Sequence, residues 1–157
     1  MEKQVAARWP KNHQWACGAF SRWAFGITPQ GGVIDAVTMN VDSVTLIQTY
    51  IVRLWLRDLA SAYTGGPEVA QGDTLVNTVN IPASTFPQVA THQDITFRFP
   101  QVTVPVDKIL IFDVQAQKAD LTFGPMGIGR VDSVAGIAQV IRGYYKTTAS
   151  TWTNMST

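Results

Sequence analysis

The stretch Thr49-Tyr-Ile-Val-Arg-Leu-Trp-Leu-Arg-Asp58 decides the fold, because its side chains sort onto two distinct faces when the backbone is extended. A helix would scatter the two arginines around its circumference, and the β-branched and aromatic content also favours a strand. The pattern predicts a half-buried strand with an apolar inner face and an outward face built around an indole. The inner face carries Tyr50, Val52, Leu54 and Leu56, and the outward face carries Ile51, Arg53, Trp55 and Arg57.

Two later segments repeat this alternation. Residues 94–99 place Ile95, Phe97 and Phe99 inward, and residues 109–117 place an aliphatic and aromatic series inward, with Asp113 and Gln115 outward. The segment 109–117 is therefore expected to lie beside 49–58 in one sheet.

Turn-rich loops separate about seven or eight short strands, which predicts an all-β antiparallel sandwich of the jelly-roll type, with an open barrel as the lesser alternative. Asn40 and Asp42 are expected to break the β-rich stretch that begins at Val33, and Pro100 is expected to end the strand before it.

The composition describes a single domain with an unusually uncharged surface. A chain of 157 residues is long enough to bury roughly 70% of its unfolded surface without a disulfide or a metal. Only 15% of its residues are charged, below the ~25% typical of soluble domains, while 46% are hydrophobic. Such a surface is either rich in solvated Ser, Thr, Asn and Gln or covered by neighbouring chains.

Charge and cysteine content exclude several classes of partner. Twelve basic and eleven acidic residues give a net charge of +1 with no basic run, so a nucleic-acid partner is not expected. The single Cys17 cannot form an internal disulfide and lacks the paired spacing of a zinc site. No basic-then-apolar leader lies in residues 1–10 and no apolar run approaches the ~18 residues of a membrane span. We expect a soluble, uncleaved chain that does not insert into membranes and, if Met1 is the native start, does not leave the cell by Sec secretion.

Residues 1–25 are rich in aromatic side chains and are predicted to form an N-terminal arm. A sandwich domain is predicted over residues 26–157. The arm contains Trp9, Trp15 and Trp23, three of the five tryptophans. These rings either cap the core of their own sandwich or anchor an extended arm in another chain, because tryptophan is enriched at interface anchors.

The outward faces of the two neighbouring strands bring together a second group of candidate residues. Sugars are recognised by stacking on an aromatic ring and by planar hydrogen-bonding groups, which arginine, aspartate and glutamine supply. The simpler interpretation is a cross-strand ion pair with an arginine stacked on the indole. The candidate ligand-binding residues are Arg53, Trp55, Arg57, Asp113 and Gln115.

No motif indicates catalysis or a resident cofactor. Neither G-x-S-x-G nor H-E-x-x-H occurs, and the glycine order of residues 124–129 fits neither dinucleotide nor phosphate loops. Glycosidase acids lie far apart in sequence, so spacing alone does not exclude a pair of them. Glu2 and Glu68 are the only glutamates and both are expected in mobile segments, so an enzyme is not expected. Several turn aspartates leave room for a structural calcium to which no ligands can be assigned.

The order of features resembles the jelly-roll sandwiches of carbohydrate-binding modules and galactose-binding-like domains, which recur in bacteriophage tail, baseplate and capsid-fibre proteins. The resemblance covers roughly residues 20–152 and is one of pattern, without a diagnostic motif. It implies a concave face offering Trp55 to a sugar, although many sugar platforms show two or three exposed aromatics. The matching segments are residues 41–44, 51–56, 96–99, 102–104, 109–114 and 143–145, with Trp152.

Together these features favour a non-catalytic structural protein that docks to neighbouring chains. The low charge, the aromatic arm and the resemblance indicate a phage virion accessory component, such as a capsid decoration, fibre or tail module, which is expected to be a homo-oligomer. The alternative is a carbohydrate-binding module for a cell-surface or extracellular glycan. A domain attached to a hydrolase is the weakest alternative.

Overall fold

The fold is given by a computed structural model, which describes residues 4–8, 13–15, 22–28, 32–41, 44–61, 66–69, 72–91, 93–122, 128–130, 139–146 and 153–154. These residues form strands joined by turns, two short 3₁₀ turns at Leu59–Ser61 and Ala83–Thr85, and no α-helix. The strands are β1 (Gln4–Arg8), β2 (His13–Trp15), β3 (Arg22–Thr28), β4 (Gly32–Val41), β5 (Thr49–Asp58), β6 (Thr74–Pro82), β7 (Gln93–Val104), β8 (Lys108–Gln117), β9 (Ile128–Arg130), β10 (Gln139–Lys146) and β11 (Thr153–Asn154).

The strands form two sheets. The larger sheet has the order β11-β10-β3-β8-β5-β6, and each of its pairings is antiparallel. In the smaller sheet β4 pairs with β7 along most of its length and with β1 in the parallel direction, while β9 joins β4 to β2. The predicted all-β class is confirmed, and so is the predicted neighbourhood of β5 and β8.

The two sheets enclose one main core, because each contributes the apolar side of its alternation. Tyr50, Val52 and Leu54 of β5 are buried there, as predicted, with Leu56 packed against them. β4 and β7 supply the opposing side of the core. The two sheets therefore form a sandwich-like arrangement of two layers. Buried members of this core include Trp23, Ile34, Val37, Met39, Val41, Ile95, Phe97, Phe99, Val102, Val104, Leu110, Phe112, Val114 and Ala116.

Aromatic rings fill the centre of this core. The Phe97 ring lies 5.3 Å from Tyr50, 5.5 Å from Phe86 and 5.6 Å from Phe112, measured between centroids. The first two contacts are edge-on, an arrangement that aromatic quadrupoles prefer to direct stacking. Phe97 is fully buried, so it connects the two layers through specific geometry as well as apolar area.

Two strand ends differ from the prediction. β4 continues through Asn40 to Val41, because the buried Asn40 amide donates a hydrogen bond to the Oδ1 of Asp94 on β7 over 3.0 Å. β7 likewise continues through Pro100 to Val104. The register between β4 and β7 shifts opposite residues 99–101, and a proline is tolerated at such an irregularity on an end strand.

The predicted boundary at residue 25 falls inside β3, which lies between β8 and β10 in the larger sheet. The backbone of β1 and β2 pairs with strands of the smaller sheet. The described parts of residues 1–25 are therefore hydrogen-bonded to the sandwich.

Candidate functional site

The face of the larger sheet that points away from the main core is buried over much of its area, contrary to the expectation that it looks outward. Trp55 is 7% exposed, Arg57 1%, Gln115 5% and Asp113 0%. Apolar residues on the same face form a second, smaller core with Trp55, and β8 is consequently buried on both sides from Ile109 to Ala116. The smaller core consists of Ala24, Trp55, Ile109 and Ile111.

Asp113 is the hydrogen-bond acceptor at the centre of this face. Arg22 on β3 donates from Nε to Oδ1 over 2.8 Å and from Nη2 to Oδ2 over 2.5 Å. Trp55 on β5 donates from Nε1 to Oδ2 over 3.1 Å. These three hydrogen bonds satisfy the buried carboxylate, so the network ties β3, β8 and β5 together across the sheet. Arg22 was not among the residues predicted for the site.

Arg53 lies beside this network but is not part of it. Its Nη1 donates to the Oε1 of Gln115 over 3.1 Å, and the side chain is only half-buried. Burial lowers the pKa of the Arg53 guanidinium, the positive charge of Arg22 lowers it further, and Asp113 acts in the opposite direction. Arg53 therefore occupies a partly desolvated position beside a second guanidinium, that of Arg22.

Arg57 belongs to a separate site at the end of β5. Its Nε and Nη2 donate to the two carboxylate oxygens of Asp73, each over 2.7 Å, and Nη2 also donates to the Gly66 carbonyl oxygen over 3.0 Å. The Glu68 backbone N–H donates to Asp73 Oδ2 over 2.9 Å. The loop before β6 thus returns over the sheet and supplies a counter-charge, which explains why Arg57 is buried.

The five predicted ligand-binding residues are consequently divided. Arg53, Trp55, Asp113 and Gln115 lie together on one face, while Arg57 is bound by Asp73. A ring that is 7% exposed has no open face on which a sugar could stack. The geometry of Trp55 fits a buried hydrogen-bonded tryptophan better than a carbohydrate platform.

The three tryptophans predicted to dock a partner have different outcomes. Trp23 on β3 is fully buried in the main core. Its position fits the alternative in which the ring packs in the core of its own chain. The backbone of Trp15 pairs with Ile128 of β9, and its side chain lies outside the described residues, as does all of Trp9.

β6 is the end strand of the larger sheet and was not singled out from the sequence. Within the described part of the chain it pairs with β5 on one side and with no strand on the other. The nine residues Thr74–Pro82 carry no charge, and Leu75 and Val76 are 44% and 40% exposed. A register shift lies between Leu54 and Trp55 of the partner strand, which leaves residues 77–82 as the regularly paired part of β6.

β7, the corresponding end strand of the smaller sheet, differs from β6 in its side chains. It carries exposed Asp94, Arg98 and Pro100, and its register with β4 is irregular. Charged side chains, prolines and irregular register all discourage an end strand from pairing with another chain. β6 lacks the charged residues, so its backbone is the less protected of the two.

A groove of about 350 Å³ lies between the ends of β6 and β7. This volume is at the low end of the ~300–1,000 Å³ typical of small-molecule sites. Apolar and polar side chains line it in equal number, and Ile81 is the lining residue that comes from β6. The groove is lined by Ile81, Thr85, Phe86, Pro87, Asp94, Ile95, Thr96 and Arg98.

In the described ranges no three His, Cys, Asp or Glu side chains come close enough together to hold a metal ion. No helix in those same ranges has the length and apolarity needed to cross a bilayer.

Comparison with known protein families, with curated proteins and with solved structures finds no match.

Proposed function

We propose that this chain is a non-catalytic structural protein that docks to neighbouring chains in a larger assembly. The observation that carries the proposal is β6, an uncharged end strand whose outer edge pairs with no strand in the described part of the chain. Backbone groups on such an edge can pair with a strand from another chain, and alternate side chains then decide which strand is accepted. The groove beside β6 adds an apolar surface for the same partner.

The finer assignment is an accessory component of a bacteriophage virion, with jelly-roll connections, acting as a capsid decoration, fibre or tail module. It is supported by the resemblance of the strand pattern and by the 15% charge content, which suits a surface covered by neighbours. The genes flanking this one test it. A row of capsid or tail genes supports a virion component, and a metabolic operon contradicts it.

Docking through β6 is tested by the mass of the chain in solution, measured by light scattering over a range of concentrations. We expect the wild-type chain to form a homo-oligomer through β6 and Asn80→Lys to have the 17.2 kDa mass of a single chain. Thr103→Lys is the matched control, because Thr103 is an exposed residue on β7. A wild-type chain that stays at 17.2 kDa, or an oligomer unchanged by Asn80→Lys, contradicts docking through β6.

A further inference from the structure

Leu121 has a backbone conformation that leucine disfavours. Among the described residues other than glycine it alone has a positive φ, which is 67°. The Leu121 N–H donates to the Lys118 carbonyl oxygen over 3.0 Å, and the Lys118 N–H donates to the Thr122 carbonyl oxygen over 2.8 Å. These two bonds close a three-residue loop whose last residue is left-handed, a position that favours glycine because a Cβ there crowds the backbone.

The Leu121 side chain contributes little to its own fold. It is 73% exposed, so most of its apolar surface remains in contact with water. Glycine or asparagine at this position would relieve the backbone strain and would expose less apolar surface. Strained residues that a fold retains are concentrated at sites of function. A contact with another molecule therefore explains the leucine better than its own fold does.

The groove between β6 and β7 lies at the same end of the larger sheet as Leu121. Thr49, the first residue of β5, pairs with Pro82 on one side and with Gln117 on the other. The loop after Pro82 lines the groove, and the turn after Gln117 carries the leucine. Because both features lie at one end, two copies of the chain can meet end to end about a two-fold axis, each offering a leucine and a groove.

The groove suits this leucine in size and in charge. A cavity of about 150 Å³ holds a benzene molecule, so a groove of about 350 Å³ has room for one leucine side chain. Asp94 and Arg98 are among the polar residues of the groove, and the turn carries Lys118 and Asp120. Each surface thus has one charge of each sign, so opposite charges can face each other across the contact. The apolar residues of the groove are Ile81, Phe86, Pro87 and Ile95.

We propose that Leu121 of one copy inserts into the groove between β6 and β7 of a second copy, and that the two copies make this contact reciprocally. This rests on the proposed function, because it names the side chain that a neighbouring copy places in the groove. One leucine per copy buries little apolar area, so the dissociation constant between free copies is expected to be about 1 mM. The contact becomes effective where neighbouring copies are already held close together in an assembly.

The test is methyl NMR of the full chain carrying Asn80→Lys, which removes pairing through β6, at concentrations from micromolar to millimolar. We expect the methyl signals of Leu121, Ile81 and Ile95 to shift together as the concentration rises. Leu121→Gly should abolish the shifts of the two isoleucines and leave the urea midpoint unchanged or higher, because glycine relieves the strain. Val106→Ala is the matched control and should retain the shifts, because Val106 is an exposed apolar residue at the opposite end of the sheet.

Shifts that do not depend on concentration, or that persist in Leu121→Gly, overturn the proposal. A urea midpoint lowered by Leu121→Gly also overturns it, because the leucine would then serve its own fold. Leu121→Asn should abolish the shifts as well, since asparagine accommodates a positive φ but is polar. If phosphatidylcholine vesicles shift the Leu121 signal and added protein does not, the leucine binds a lipid surface instead. Light scattering follows pairing through β6, whereas the methyl shifts of Asn80→Lys follow Leu121, so failure of one contact is distinguishable from failure of the other.

Discussion

The indole Nε1 of Trp55 donates a hydrogen bond to the buried Oδ2 of Asp113 on the adjacent strand, over 3.1 Å. Both residues lie on the face of the sheet opposite the main core, where the sequence predicts an open ligand-binding surface. Arg22 donates two hydrogen bonds to the same carboxylate, so the Trp55–Asp113 bond belongs to a network that links three neighbouring strands of the sheet.

Removal of the Asp113 carboxylate is expected to destabilise the protein strongly. Asp113→Ala removes the buried carboxylate that accepts hydrogen bonds from Arg22 and from the Trp55 N–H, at a cost of about 3 kcal/mol or more. Urea unfolding followed by tryptophan fluorescence measures the change. Asp107→Ala in the exposed turn before β8 should change stability by no more than about 0.5 kcal/mol. Equal effects of the two substitutions would contradict the network.

The ion pair between Arg57 and Asp73 is expected to fix the loop before β6. Asp73→Ala removes the carboxylate that accepts two hydrogen bonds from the buried Arg57 guanidinium. Loss of one partner of a buried ion pair typically costs about 3–5 kcal/mol, and the loop should become more sensitive to limited proteolysis. Asp58→Asn is the matched control, because the ion pair of Asp58 with Lys108 is exposed and should contribute nothing measurable. If Asp73→Ala is cleaved no faster than Asp58→Asn, the loop is held by other contacts.

Phe97 is expected to be the most sensitive residue of the aromatic group in the main core. Phe97→Ala removes ring contacts with Tyr50, Phe86 and Phe112 and leaves a cavity, at a cost of about 3–5 kcal/mol. Thermal and urea unfolding both report this change. Val106→Ala removes apolar atoms from a residue that is 82% exposed and should leave the midpoint nearly unchanged. A small effect at Phe97 would show that the two sheets are not packed through this ring.

The turn after β8 contains a pH-dependent contact. Hydrogen bonds from the Thr122 side chain and backbone lower the pKa of Asp120. A lowered folded-state pKa means that the contribution of the turn is present above the unfolded pKa and is lost as the pH falls through the folded pKa. Thr122→Val removes the larger cause and should raise the pKa of Asp120 in a carboxyl-carbon NMR titration. Thr103→Val on β7 should leave that pKa unchanged, and a Thr122→Val titration identical to the wild type would contradict the assignment.

Period-two alternation was sufficient to predict the strands that form the main core. β5 begins and ends at the predicted residues Thr49 and Asp58, and its pairing with β8 follows from two matched inner faces. Alternation could not reveal what lies above the opposite face, because a strand pattern describes one sheet and not the loops that return over it. The overlooked signal is Ile109 and Ile111, two apolar residues on the face assigned to solvent.

The remaining differences arise from contacts between residues far apart in sequence. Asn40 continues a strand that it was expected to break, because Asp94 on another strand satisfies its amide. Arg57 is buried because Asp73 reaches it from a loop, and Arg22 joins the site because β3 pairs with β8. Each of these contacts depends on a residue distant in the sequence, which local secondary-structure propensities do not specify.

The position of β3 between β8 and β10 has a consequence for biosynthesis. A ribosome releases β3 well before either neighbour has been translated, so Trp23 emerges without the cavity that will enclose it. Native pairing across such sequence separation closes a long loop and is slow. The nascent chain therefore exposes an aromatic strand during elongation, and chaperone engagement at that stage is the expected safeguard against misassembly.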